Sequence, residues 1–321
     1  PMKNNNPVIV IYFSDQKNQG AKINNPKYFR SYQDLCAKLA KNNFDIYIVK
    51  GKKHRFLGKM IFQSASKFQK DKLISVNKPI KADLILLRTG VWLQDEKPKN
   101  VLNKFELIKI CHNKLKTYQL LKKYMPKTYA INKANFLSVM DKITTGKVVI
   151  KPIDGNSGTD VYAVDKTKIT SKIMQVINTR DCIVQEFVDT KKGITDIVKG
   201  YHDLRIINFS GKLCLSYLRI PGKSLISNLD RLGKERIISI NKIPKIAKDL
   251  CRTIDKKFVK FGARIYSIDM GFENGIPKIF ELNSTPGMPF CEYNQHNKYY
   301  NRFHNQMIRV IKQALNEKRA N

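Results

Sequence analysis

The sequence predicts an α/β chain built from more than one lobe, on three observations. Strand-like and helix-like segments alternate over the first 100 residues, strands and tight turns dominate from residue 147, and the chain is long for a single core. Its 321 residues and 42 % hydrophobic content suit two or three packed lobes, since domains commonly hold roughly 100–150 residues.

The elements follow in order. Val8–Phe13 is a continuous run of β-branched and aromatic residues, the pattern of a parallel strand buried on both faces. Residues 20–26 read as a polar loop. Tyr32, Leu35, Leu39 and Ala40 recur at helical spacing, with Ser31 as the N-cap and Asn42-Asn43 as the stop. Residues 44–49 are a second strand, 51–59 a basic loop and 82–87 a third strand, out of which Arg88-Thr89-Gly90 turns. This βαβ order implies a small open parallel sheet. Residues 101–125 read as helical, through Leu107, Ile108, Cys111, Leu115, Leu120 and Leu121, and Pro126 ends them. Residues 148–150 and 160–164 flank a glycine-bearing turn as a hairpin, and 183–188 is another strand. Residues 190–200 are a polar linker. Residues 204–209 and 213–219 flank Ser210-Gly211 as a second hairpin, a helix covers 244–261, and strands 265–272 and 277–282 join through Asn274-Gly275. Residues 296–317 form a polar amphipathic helix.

Composition narrows the function classes. No apolar stretch approaches the ~20 residues of a membrane span, and no cleavage site follows the first apolar run. Six scattered cysteines, with no C-x-x-C pair, fit a reducing cytoplasm better than a zinc site or a disulfide framework. The net charge of +34 is spread along the chain without a basic tail. It reflects codon bias or a field that draws anionic substrates. No zinc finger or aromatic stacking motif marks a dedicated nucleic-acid site.

Three constellations carry chemistry. In residues 147–158, Lys151 ends a strand before Asp154-Gly155-Asn156-Ser157-Gly158, a turn whose N–H groups suit a phosphate. The plain alternative is a hairpin turn with a solvated lysine. Asp269, Glu281 and Asn283 flank the Asn-Gly turn, and side by side they would offer three hard oxygen donors to magnesium. The alternative is a pair of exposed strand carboxylates. Asp203, Arg205 and Arg219 occupy the other hairpin, as a cationic face or as surface ion pairs.

Taken together, Asn113-Lys114-Leu115-Lys116-Thr117, Val149-Ile150-Lys151-Pro152, Val184-Gln185-Glu186-Phe187-Val188, Asp203-x-Arg205, Arg219, Asp269 and Glu281-Leu282-Asn283-Ser284-Thr285-Pro286-Gly287-Met288 resemble the ATP-grasp superfamily. The resemblance is especially to the branch of prokaryotic glutathione synthetase and the RimK-like ribosomal-protein glutamate ligases. The resemblance runs from about 113 to 290. It implies a pre-ATP-grasp α/β domain over 1–105 and a two-lobed ATP-grasp domain over 106–321, with lobes at about 106–190 and 191–321. It also implies an ADP-forming carboxylate–amine ligase acting through an acyl phosphate, with ATP and Mg2+ (or Mn2+) as cofactors.

By resemblance, Lys114 and Lys151 touch phosphates, Asp154, Gly155, Asn156, Ser157 and Gly158 cover the nucleotide, and Gln185, Glu186, Phe187 and Val188 meet adenine. Asp203 approaches the ribose, and His202 beside it comes within reach of the nucleotide. Arg205 and Arg219 act in catalysis, Asp269, Glu281 and Asn283 hold the metal, and Asn228, Ser284, Thr285 and Gly287 face substrate. Lys116 competes with Lys114 for the first lysine role, and the lysine-rich loop 222–236 only partly matches the family's substrate loop. The expected partners are an amino-acid or peptide carboxylate and an amine, an acidic peptide suiting the basic surface, with a homo-oligomer compatible and no membrane. The rival readings are an ATP-grasp kinase of an anionic small molecule and a non-catalytic, synapsin-like ATP binder.

Overall fold

The computed structural model describes residues 6–14, 21–88, 92, 96–155, 159–222, 234–290 and 297–320. Their contacts group into two units. One comprises Pro1–Phe105, Val259–Ile265 and Thr285–Asn321; the other comprises Glu106–Phe258 and Tyr266–Ser284. The C-terminal helix therefore groups with the N-terminal sheet, where the sequence reading had it continue the last lobe.

The first unit contains β1 (Val8–Phe13), α1 (Ala21–Asn24), α2 (Pro26–Ala40), β2 (Asp45–Lys50), β3 (Ile61–Phe62), β4 (Ala65–Gln69), β5 (Lys72–Val76), β6 (Ile80–Lys81), β7 (Leu84–Leu87) and β8 (Val101–Leu102). Its main sheet has the order β5-β4-β2-β1-β7-β8. β2, β1, β7 and β8 run parallel, as the apolar runs imply. β4 and β5 add an antiparallel hairpin at the edge. Lysines at 67, 70 and 72 break the apolar alternation there, so periodicity did not announce it.

The helix expected from Ser31 starts earlier. Asn25 is the N-cap, its side chain accepting the Lys27 N–H at 3.0 Å, and Pro26 fills the first turn. Residues 21–26 are thus largely helical, not a loop. Ser31 lies inside the helix, and its Oγ donates to the Pro289 carbonyl at 2.6 Å.

The second unit holds two sheets. α3 (Phe105–His112) and α4 (Lys114–Leu121) replace the single helix expected over 101–125. The break falls at Asn113, whose side chain accepts the Lys116 N–H at 2.8 Å and caps α4. Next come β9 (Thr128–Ile131), α5 (Phe136–Asp141), β10 (Lys147–Pro152), β11 (Tyr162–Asp165), α6 (Ser171–Thr179) and β12 (Cys182–Glu186), giving an antiparallel sheet β11-β10-β12-β9. Val148, Ile150, Cys182 and Val184 pack on Val139, Met140, Ile173 and Ile177 of α5 and α6. Alternation turns Lys151 and Gln185 to the opposite face.

The other sheet, β15-β14-β13-β16-β17, is built from β13 (Asp203–Phe209), β14 (Lys212–Ile220), β15 (Lys234–Ile238), β16 (Ile265–Glu273) and β17 (Ile276–Asn283). β15 occupies part of the segment read as a loop over 222–236. α7 (Lys245–Phe258) buries Ala247, Leu250, Cys251, Ile254 and Phe258, one helical stripe. α8 (Asn297–Ala320) belongs to the first unit and is joined to α2 by Tyr300 Oη donating to Asp34 at 2.7 Å. Among the described residues, no helix is long and apolar enough to cross a membrane.

Candidate active site

Two β-bulges assemble the charged centre of the second unit. At the β13–β14 hairpin, Ser210 and Gly211 both take positive φ, the two-residue turn expected there. From that turn alone, Asp203 would face Leu218. The register shifts at Ile207/Asn208, and Arg219 then stands opposite Asp203. The β16–β17 hairpin repeats the device. Asn274 and Gly275 form the turn, the register shifts at Asp269/Met270, and Glu281 comes opposite Asp269. Phe280 is the residue left without a partner in that ladder, and its carbonyl accepts from Lys151 Nζ at 3.3 Å.

The ion pairs are close. Arg205 grips Asp269 with Nε on Oδ1 at 2.7 Å and Nη2 on Oδ2 at 2.6 Å. Arg219 Nη2 donates to Asp269 Oδ2 at 2.7 Å and also to Asp203 Oδ2. Asp269 is 1 % exposed. Burial by itself would raise its carboxyl, but the two guanidinium groups outweigh that and hold it well below the usual carboxylate range. Burial pushes the Asp203 carboxyl up, against the pull of Arg219. Among the described residues, Asp203 Oδ1 and Arg219 Nε are buried without a hydrogen-bond partner, so the network ends in an unsatisfied acceptor and an unsatisfied donor.

The two lysines sit differently. Lys151 is buried, and its ammonium donates to Gln185 Oε1 at 3.1 Å and to the Phe280 carbonyl, both neutral. Gln185 is in turn held by Thr128 Oγ1 at 2.9 Å. Burial lowers the Lys151 pKa to about 8, with Glu281 opposing the shift. Lys114, also buried, donates to the Gly155 carbonyl at 3.0 Å, and burial lowers its pKa too, opposed by Glu281 and Asp154. Two ammonium groups thus lie in low dielectric and, among the described residues, have only neutral atoms in hydrogen-bond reach. Anionic oxygens would stabilise them. Lys116 is exposed, whereas Lys114, the first residue of α4 after the Asn113 cap, is buried.

The other expected residues fall as follows. Gly155 has φ +117° and borders 156–158; Asn156, Ser157 and Gly158 lie outside the described residues, as does Asn228. Glu186 accepts from the Thr144 backbone N–H at 3.1 Å and from its hydroxyl at 2.7 Å, so its carboxylate serves the neighbouring turn. The Phe187 N–H donates to Thr145 Oγ1 at 3.4 Å, and Val188 is buried. His202 is committed within the fold, Nδ1–H donating to the Gly200 carbonyl at 3.0 Å and Nε2 accepting the Phe272 N–H at 3.2 Å. Ser284 ends the second unit, and Thr285 and Gly287 belong to the first. Sequence reasoning missed Arg180, which pairs with Asp160 at 3.0 Å and Asp154 at 3.5 Å, on either side of 156–158. It also missed Glu235, opposite Arg219 on β15. Neither carried a motif signal.

The donor set of Asp269, Glu281 and Asn283 fits a magnesium ion. Asp269 Oδ1 accepts a single hydrogen bond and keeps a lone pair. The nearest guanidinium nitrogen to Glu281 is at 4.0 Å, beyond hydrogen-bond reach. All three side chains offer hard oxygen.

Comparison with known proteins gives a consistent family. Over 187 residues the chain is 22 % identical to a probable alpha-L-glutamate ligase of Rhodopirellula baltica, an alignment covering 56 % of this chain and 43 % of that one. The chain thus matches less than half the length of that relative. A D-alanine–D-alanine ligase structure from Bacillus anthracis superposes with TM-score 0.65 at 17 % identity, covering 98 % and 99 % of the two chains. The ATP-grasp ligase PsnB, solved with a phosphomimetic variant of its minimal precursor, Mg and ADP, superposes with TM-score 0.59 at 14 % identity, covering 97 % and 100 %. These structures establish the ATP-grasp ligase fold. Residues 113–296 match the family described as "Prokaryotic glutathione synthetase, ATP-grasp domain", and the chain belongs to that family.

Proposed function

We propose that this chain is an ADP-forming carboxylate–amine ligase that joins an amino acid or peptide carboxylate to an amine. The carrying observation is the pairing, within one unit, of two buried lysines on neutral acceptors with an arginine–aspartate network that leaves an acceptor and a donor unsatisfied among the described residues. The lysines suit phosphate oxygens and the network suits the reacting carboxylate. The relatives' names, which include glutamate ligase and a precursor-binding ligase, support an amino acid as amine and a peptide as acyl donor.

In this reading Lys114 and Lys151 hold the phosphate chain, and the backbone of 185–188 lies against adenine, with Asp203 Oδ1 accepting from the ribose. Arg205 and Arg219 orient the substrate carboxylate. Its oxygen attacks the γ-phosphorus, ADP leaves, and an acyl phosphate forms. The amine nitrogen then attacks the acyl carbon, phosphate leaves, and the nitrogen loses a proton. Magnesium, held by Asp269, Glu281 and Asn283, would neutralise phosphate charge. Positioning and charge neutralisation supply the rate, and no nucleophilic side chain is required. Asn228, Ser284, Thr285 and Gly287 face substrate, Asp154 to Gly158 cover the nucleotide, and the division at residue 105 separates the pre-ATP-grasp domain. A cytoplasmic setting and a homo-oligomer complete the reading.

The test is ATP-dependent hydroxamate formation with magnesium, pooled amino acids and peptides, and hydroxylamine. Hydroxamate from wild type, and none from Glu281→Gln, supports the ligase. A stable phosphoester with no hydroxamate would replace it with a kinase.

A further inference from the structure

Within the first unit, Arg88 is a second charged group in a costly setting. It follows β7 directly and is 2 % exposed. Its Nε donates to the Tyr32 hydroxyl at 2.8 Å and its Nη2 to the Pro286 carbonyl at 2.5 Å. Both acceptors are neutral. Among the described residues, no carboxylate forms an ion pair with it. A guanidinium has five N–H donors, so three remain without an acceptor among the described residues. The Tyr32 hydroxyl is buried, accepts from Arg88, and keeps its own hydrogen to give. A buried charge without a counter-charge is costly, which points to an anion that completes the site.

Topology places these donors at the reversal of strand order, outside the carboxyl ends of the strands. β1 has β2 on one side and β7 on the other, so the winding of the parallel sheet reverses between β1 and β7. Arg88 stands at the carboxyl end of that pair, its N–H donating to the Tyr12 carbonyl at 2.9 Å. Open parallel sheets bind ligands outside the carboxyl ends of their strands at such a reversal. The free edge of a guanidinium matches two oxygens in a plane, which is carboxylate geometry. Among the described residues, no second cation is hydrogen-bonded into the cluster, as a doubly charged phosphate would favour.

We propose that Arg88, with Tyr32, binds the α-carboxylate of a free amino acid. That the ligand is an amino acid rests on the ligase reading above; the carboxylate site does not.

The experiment is isothermal titration of the full chain, without ATP, with each of the twenty L-amino acids. The tightest binder is then compared with its own α-amide. Wild type is expected to bind one or a few amino acids and to lose affinity about tenfold or more on amidation, the scale of a charge-assisted pair. In Arg88→Gln, acid and amide should bind alike. Tyr32→Phe, which keeps the ring, should weaken the acid more than the amide. If Arg88→Gln fails to fold, the acid–amide comparison in wild type and in Tyr32→Phe carries the test. Failure of every amino acid to bind, equal binding of acid and amide by wild type, or an undiminished acid preference in either variant overturns the proposal. The titration needs no turnover, so it can fail while hydroxamate forms, and it can succeed where no hydroxamate forms.

Discussion

Lys151 carries its charge where the fold has little use for it. Buried on Gln185 and a carbonyl, its ammonium has no ion pair at hydrogen-bond distance among the described residues. Lys151→Met should therefore raise the Kd for ATP by roughly 10–100-fold, as loss of a charge-assisted bond implies, while leaving thermal stability unchanged or higher. Calorimetric ATP titration and a melting curve check both halves. Asp269 and Glu281 should separate in the opposite sense. Asp269→Asn leaves two guanidinium groups without their shared partner and should cost about 3–5 kcal/mol of stability, the range for a broken buried pair. Glu281→Gln touches a side chain one-third exposed and 4.0 Å from its nearest partner. It should leave stability within about 0.5–1 kcal/mol and abolish hydroxamate formation. Urea unfolding of both variants checks the contrast.

At the scale of elements, the bulges matter more than the strands. The turns at Ser210-Gly211 and Asn274-Gly275 were readable because Gly and Asn supply positive φ at low cost. The register beyond them was not. One extra residue per hairpin brings Arg219 to Asp203 and Glu281 to Asp269, and a one-residue slip would send those side chains to the other face. Deleting Phe280 should therefore keep the sheet, seen as an unchanged far-UV circular dichroism spectrum, and remove ATP turnover. Helix limits were less legible. Asn113 interrupts an apolar pattern that continues through it, and that interruption is what puts Lys114 in the first turn of α4.

At the scale of the whole molecule, burial of neutral histidine in each unit sets a response to acid. His202 and His304 are both buried, and burial lowers both pKa values, that of His304 to about 3 with Lys38 adding to the effect. Below its ordinary pKa of about 6.5, His304 is protonated in the unfolded chain and neutral in the folded one. Its contribution to stability is then full above that pH and falls as pH drops toward about 3. Asp203, raised by burial, works in the opposite direction, so the wild-type curve mixes signs. His304→Phe isolates the term. Its melting temperature should gain steadily on wild type from pH 6.5 downward and run parallel to it above pH 7.5.

Sequence alone determined the alternating start, the two Asn-Gly or Ser-Gly hairpins, the ATP-grasp resemblance and the identities of the lysines, arginines and acids that gather in the second unit. Each is local, set by residue periodicity, by turn chemistry or by a motif in chain order. Tertiary structure alone decided which acids face which arginines, that His202 and Glu186 are spent on the fold, that Arg180 pairs with both Asp154 and Asp160, and that Arg88 is buried with no counter-charge among the described residues. Those outcomes depend on ladder register and on burial. Both are fixed by contacts between residues far apart in the chain, and a residue's type and its neighbours in sequence do not encode them.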